Sequence, residues 1–213
     1  MIAVSQAGLA HFDLKPANIF ITSKSVPQLG DFGLAERTDI SSPPTRSRPV
    51  TSLWYRAPEV LMRCSNIDAA ADVWSFGAVI AQIIEPQGLS YWRIDRPDEL
   101  LLAQAHTVCD QGGVELWPGA DKLPGPLSSD AIPFNAPFHG QQRVRVTPAG
   151  RRERELDQRL WKMRSSLWTN LFRAVESTWV MNPKKRPTIQ HVISQREWGP
   201  AYNFQGAPLV LSG

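Results

Sequence analysis

A mainly α-helical lobe with one small β-hairpin is the fold that this 213-residue sequence predicts. Three observations predict it. From Asp72 to Ile84, Val73, Phe76, Ile80, Ile83 and Ile84 recur at helical spacing, and Ala78 and Val79 leave little polar surface, which reads as a buried helix. Leu167, Trp168, Leu171, Phe172, Val175 and Trp179 make a second, amphipathic stripe. Ile19-Phe20-Ile21 and Pro27-Gln28-Leu29 bracket the turn residues Thr22 to Ser25, the pattern of a short hairpin.

The remaining elements follow in chain order. Residues 1–10 are small and apolar and run into the segment that begins at His11. The hairpin delivers Asp31 at its end. Residues 38–49 concentrate Ser, Thr, Arg and Pro and read as a mobile loop. Pro86 stops the first buried helix, and a second helix runs from near Pro97 to Val108 around Leu100, Leu101 and Leu102. Residues 112–150 carry Pro118, Pro124, Pro126, Pro133, Pro137 and Pro148 and read as an irregular connection. Asn182-Pro183 ends the amphipathic stripe. Thr188 is placed to cap a last helix through Val192 and Ile193. Residues 199–213 read as a flexible tail.

Composition bounds the function classes. Hydrophobic residues make up 42% and charged residues 20%, enough for a packed core. A net charge of +3 is too small to argue for a nucleic-acid partner. Basic residues gather between Arg143 and Arg164, which reads as a solvated helix face in preference to a docking patch for acidic partners. Cys64 and Cys109 form no CxxC and no metal-ligand spacing with the four histidines. The start has no signal-peptide pattern, and no apolar run approaches a membrane span. The expectation is a soluble intracellular protein of the cytoplasm or nucleus, with no membrane and no nucleic-acid partner.

The chemistry lies in three short motifs. His11-Phe12-Asp13-Leu14-Lys15-Pro16-Ala17-Asn18 comes first, then Asp31-Phe32-Gly33, then Ala57-Pro58-Glu59. Asp13 can accept a proton from a hydroxyl. Lys15 can neutralise a transferring phosphoryl group. Asn18 and Asp31 offer hard oxygen ligands of the kind magnesium takes. Together they form a parts list for phosphoryl transfer, in which catalysis is mostly positioning and charge stabilisation.

In this order and spacing, the motifs resemble the H-R-D, D-F-G and A-P-E segments of the protein kinases. Leu53-Trp54-Tyr55-Arg56-Ala57-Pro58-Glu59-Val60 narrows the resemblance to the CMGC, cyclin-dependent-like Ser/Thr kinases. Asp72-Val73-Trp74-Ser75-Phe76-Gly77 and Glu115-Leu116-Trp117-Pro118-Gly119 are similar to further segments of that group. The resemblance implies a protein-kinase-like C-terminal lobe over 1–198, with an irregular insert at 112–152. It implies ATP and Mg2+ as cofactors, with Asp13 and Lys15 catalytic, Lys15, Asn18 and Asp31 toward the nucleotide, and Asn18 and Asp31 on the metal. It further implies a protein substrate with a Ser/Thr acceptor, Pro-directed through Arg56, and a cyclin-like activator. Glu59 would pair with Arg186, and Asp72 would brace the backbone of the catalytic loop.

Two departures matter. Only ten residues precede His11, and no G-x-G-x-x-G or strand lysine stands before it. The expectation is therefore a large lobe with its N-terminal lobe absent, very weak in ATP binding and turnover by itself. Phe12 replaces the usual arginine, which pairs with a phosphorylated loop residue. Ser47 falls at that phosphorylation position and Ser52 where a threonine usually contacts the catalytic aspartate. A non-catalytic pseudokinase-like scaffold is the alternative reading. A metal-dependent hydrolase using Asp13 and Asp31 lacks the histidine–carboxylate cluster it would need.

Overall fold

The computed structural model describes residues 1–38, 53–84, 95–108, 117–125 and 173–195. The first helix, α1 (Ile2–Gln6), ends where Gly8 takes a left-handed turn at φ 67°. Two residues, β1 (Leu9–Ala10), follow it. The hairpin is formed by β2 (Ile19–Ile21) and β3 (Pro27–Leu29), antiparallel, with Ile19 opposite Leu29, Phe20 opposite Gln28 and Ile21 opposite Pro27. Its tip is closed by the Thr22 hydroxyl, which accepts the Val26 N–H at 3.1 Å. A second two-stranded sheet pairs β1 with β4 (Glu36–Arg37) in antiparallel register.

Pro58 opens α2 (Pro58–Leu61) at a position where a missing N–H costs nothing. Then α3 (Ala70–Ile84) runs through the centre of the core. Val73, Trp74, Ala78, Val79 and Ala81 are all buried on it. Ile83, expected on the buried stripe, is instead 64% exposed. The helix is enclosed through its first three turns and opens to solvent only in its last, so position along the axis rather than face decides this residue.

α4 (Pro97–Val108) has the bounds the sequence suggested, with Leu100 and Leu101 fully buried. Gly125 is pressed onto α2. A Cβ there would lie 2.4 Å from the Met62 Cα, so only glycine fits.

Residues 173–178 form α5, which buries Ala174 and Val175. It crosses α3 at Gly77, where a Cβ would meet the Thr178 hydroxyl at 1.8 Å. The helix stops before Trp179, earlier than Asn182-Pro183. Asn182 instead caps the following single turn (Pro183–Lys185), accepting the Lys184 N–H at 3.0 Å. An Asx cap competes well with helix continuation, and the proline behind it lacks a donor. Thr188 caps α6 (Ile189–Ser194) as expected, accepting the His191 N–H at 3.2 Å.

One large apolar cluster joins α2, α3, α4 and α5, and a smaller one joins Val73 to Ile189 and Val192 of α6. The expected loop at 38–49, apart from Thr38, most of the insert, the first half of the amphipathic stripe and the 199–213 tail lie outside the described residues.

Candidate functional site

The hairpin brings two of the four candidate residues to one place. Asn18 stands just before β2 and Gly30 just after β3, and the Gly30 N–H donates to the Asn18 carbonyl at 2.9 Å. Asp31 therefore leaves the sheet beside Asn18. It is exposed and sits at φ 58°, a left-handed conformation that aspartate tolerates better than most residues.

His11 binds the two motifs together. Its Nδ1 accepts the Asp13 N–H at 3.2 Å, so Nε2 carries the ring hydrogen and donates to the Gly30 carbonyl at 2.9 Å. The same fully buried ring lies edge-on to Phe32, centroids 4.9 Å apart. The sequence reading passed over this function of His11. The signal was a histidine two residues before the candidate base, one that could reach back to a backbone N–H.

Asp13 is buried, and its two carboxylate oxygens differ. Oδ2 accepts the Lys15 ammonium at 3.0 Å, whereas Oδ1 is buried with no partner among the described residues. Asn18 spends its amide N–H on the Asp13 carbonyl at 2.9 Å, which leaves its own Oδ1 as the oxygen available for a cation. So the structure clusters Asp13, Lys15 and Asn18 and sets Asp31 alongside. Among the described residues no three His, Cys, Asp or Glu side chains gather as a metal cage. The donors present are one amide and one exposed carboxylate. Such a pair suits a hard cation that keeps its waters and shares phosphate oxygens.

Asp72 supports the loop from α3. Its carboxylate accepts the His11 N–H at 2.5 Å and the Phe12 N–H at 2.9 Å. Phe12 sits at φ 60°, a left-handed conformation that costs a bulky residue about 1–3 kcal/mol. The two bonds from Asp72 hold that strain in place.

Burial pushes the Asp72 carboxyl above its ordinary value of 3.8, and the two backbone donors offset only part of this. A carboxyl that holds its proton more tightly when folded contributes stability at low pH. That contribution is lost as pH rises from about 4 through the folded pKa. The stability of the protein relative to an Asp72→Asn variant should therefore decline over that window in urea titrations. A flat difference would refute it.

Glu59 and Arg186 form the buried pair the sequence suggested. Nη1 meets Oε1 at 2.7 Å and Nη2 meets Oε2 at 2.9 Å. Arg186 also donates to the Ala70 carbonyl at 2.7 Å and twice to the Val180 carbonyl, at 3.0 and 2.9 Å. The Trp74 ring lies beneath it at 5.2 Å. Arg56 is half-buried. Burial pulls its guanidinium pKa down, and the charge of Asp13 pulls it back up. Ser47, Ser52 and the Arg143–Arg164 segment lie outside the described residues. Phe20, Ile21 and Val26 expose apolar side chains on the hairpin beside Asp31.

Comparison with known proteins gives this arrangement a family. The protein kinase domain family matches residues 3–198. Cyclin-dependent kinase F-4 of Oryza sativa subsp. japonica is 46% identical over 79 residues, covering 37% of this chain and 17% of that protein. The mitogen-activated protein kinase homolog MMK2 of Medicago sativa is 41% identical over 86 residues, covering 40% and 23%. A chain in the structure of the CAK complex from Chaetomium thermophilum bound to ATP-gamma-S superposes with a TM-score of 0.63 at 25% identity. That superposition covers 92% of this chain and 55% of the other. The chain thus spans about half of the solved chain and a smaller share of the two sequence relatives. It belongs to the protein kinase family, with cyclin-dependent and mitogen-activated kinases among its relatives.

Proposed function

We propose that this chain supplies the catalytic-loop side of a Mg-ATP-dependent protein serine/threonine kinase, in the position of the large C-terminal lobe. One observation carries the reading furthest: the buried Oδ1 of Asp13, unpartnered among the described residues, with Lys15 already seated on Oδ2. A buried carboxylate oxygen without a donor has lost water and gained nothing in return. A substrate hydroxyl would satisfy it.

In this reading Asp13 orients a Ser or Thr hydroxyl through Oδ1 and takes its proton as the oxygen attacks. Lys15 stands next to the attacking oxygen with its positive charge. The Asn18 Oδ1 and the Asp31 carboxylate would hold magnesium, for which the hard oxygen donors fit. Magnesium-bound ATP supplies the phosphoryl group and the neutralisation of its charge. His11 fixes the distance between the two halves of this arrangement. Kinship with cyclin-dependent kinases supports a Pro-directed protein substrate and a cyclin-like activator.

The intact protein carrying these residues, incubated with Mg-ATP and a Ser/Thr-Pro peptide library, should phosphorylate Ser or Thr. A protein that binds peptides but transfers no phosphate under those conditions would support the scaffold reading instead. Phe12 favours that second reading in one respect. Its side chain packs against the core and offers no guanidinium to a phosphate. Ser47→Glu is therefore expected to change activity little. Strong activation in a peptide-phosphorylation assay would show that another basic residue serves.

A further inference from the structure

Gln104 breaks the pattern of α4. Leu100, Leu101 and Ala105 around it are fully buried and apolar, and Gln104 is equally buried at 0% exposure. An amide in such a place must be satisfied or it destabilises the fold. Its Nε2 donates to the Arg56 carbonyl at 2.8 Å, across 48 residues of sequence. A carbonyl only accepts, so this contact fixes which end of the amide faces it. Its Oε1 is buried with no partner among the described residues. A leucine would fill the same space without an orphaned oxygen. The amide therefore carries one orphaned oxygen, and what it gains is the hold on the Arg56 carbonyl, which a leucine would leave without its donor.

That hold completes a set. The Tyr55 carbonyl accepts the Ser75 hydroxyl at 2.7 Å, and the Tyr55 hydroxyl donates to the Gln82 side-chain carbonyl. The Arg56 N–H donates to the Leu53 carbonyl at 3.0 Å. The backbone of residues 53–56 is therefore pinned from α3 on one side and from α4 on the other. Gln104 supplies the α4 side. With both its N–H and C=O fixed, Arg56 can leave the chain in few directions.

We propose that Gln104 is a positioning residue: by holding the Arg56 carbonyl it aims the half-buried Arg56 side chain toward Asp13 and so shapes the substrate side of the site. The charge of Asp13 is felt at the Arg56 guanidinium, second to burial, which agrees with this placement. The inference rests on the kinase reading for what occupies the site, but not for the geometry.

The test has two arms, both in the intact protein. The first needs no turnover. The Arg56 Nε–Hε resonance is compared with and without Asp13→Asn, in the parent and in a Gln104→Leu background. The Asp13-dependent shift should shrink to about half or less once Gln104 is replaced, as coupled residues do in a double-mutant cycle. An undiminished shift would overturn the proposal. Gln104→Met, closer in shape, gives the reading if the leucine variant does not fold. Either variant exchanges one orphan for another, the Gln104 oxygen for the Arg56 carbonyl, so it should melt close to the parent. The second arm is kinetic. Gln104→Leu should raise the peptide KM about tenfold, the scale of one lost hydrogen bond, and leave kcat and the ATP KM unchanged. A fall in kcat with the peptide KM unmoved would overturn it. A lost resonance shift without any phosphorylation would support the positioning and count against the kinase reading alone.

Discussion

Arg186→Ala is expected to remove about 3–5 kcal/mol of folding stability, the range for breaking one side of a buried ion pair. The partners show why. The Arg186 and Glu59 side chains are 0% and 1% exposed. All five guanidinium N–H donors are used: two on Glu59, one on Ala70 and two on Val180. Truncation leaves a buried carboxylate without its counter-charge and takes the Arg186 donors away from two backbone carbonyls. It also leaves a void over the Trp74 ring. Domains of this kind are stable by only about 5–15 kcal/mol, so such a loss takes a large fraction of the total. Urea unfolding of the parent and variant measures it. Glu59→Leu combined with Arg186→Met should recover part of the loss, because the stranded charge goes with it. A single-variant loss below about 1 kcal/mol would place the pair with exposed ones and refute the argument.

Parts of this molecule were legible because local chemistry fixes them. The hairpin announced itself through two short apolar runs around Thr22 to Ser25. The Pro97 start of α4 and the Thr188 cap of α6 depend on a missing N–H and a side-chain acceptor, both properties of single residues. The Glu59–Arg186 pair and the function of Asp72 came from family resemblance, since 127 residues separate the first two. The sheet of β1 and β4 was not legible. Each strand has two residues, too few to show a period, and they pair through tertiary placement. Ile83 was misjudged because helical periodicity reports a face and not how far along the axis the packing extends.

The candidate site divides the same way. Asp13, Lys15, Asn18 and Asp31 stand out in sequence by type and spacing. Their assembly does not, because it runs through backbone: the Asn18 carbonyl on Gly30 N–H, and His11 on the Gly30 carbonyl. Gln104 was hidden for a different reason. A glutamine in a helix reads as surface, and only burial reveals its contact with Arg56.

Asp13→Asn is the substitution expected to affect function most. It should lower kcat for peptide phosphorylation about 10²–10⁴-fold, the usual contribution of a positioned general base. That corresponds to about 2.7–5.4 kcal/mol of transition-state stabilisation. The amide keeps the shape of the carboxylate but cannot take up a proton at neutral pH. It also removes the charge that holds the Lys15 ammonium at 3.0 Å, so the lysine loses its anchor beside the attacking oxygen. The backbone contacts of Asp13 to His11 and Asn18 remain available, because they use its N–H and carbonyl. Folding should therefore survive, and nucleotide affinity measured by titration calorimetry should change little if, as proposed, Asn18 and Asp31 hold the metal-bound nucleotide. The informative result is the split: kcat collapses while melting temperature and nucleotide affinity hold. A drop below about tenfold would remove Asp13 from the role of base. A parallel loss of nucleotide affinity would reassign it to holding the metal. Asp31→Asn provides the contrast, because a metal ligand should lose nucleotide affinity and turnover together.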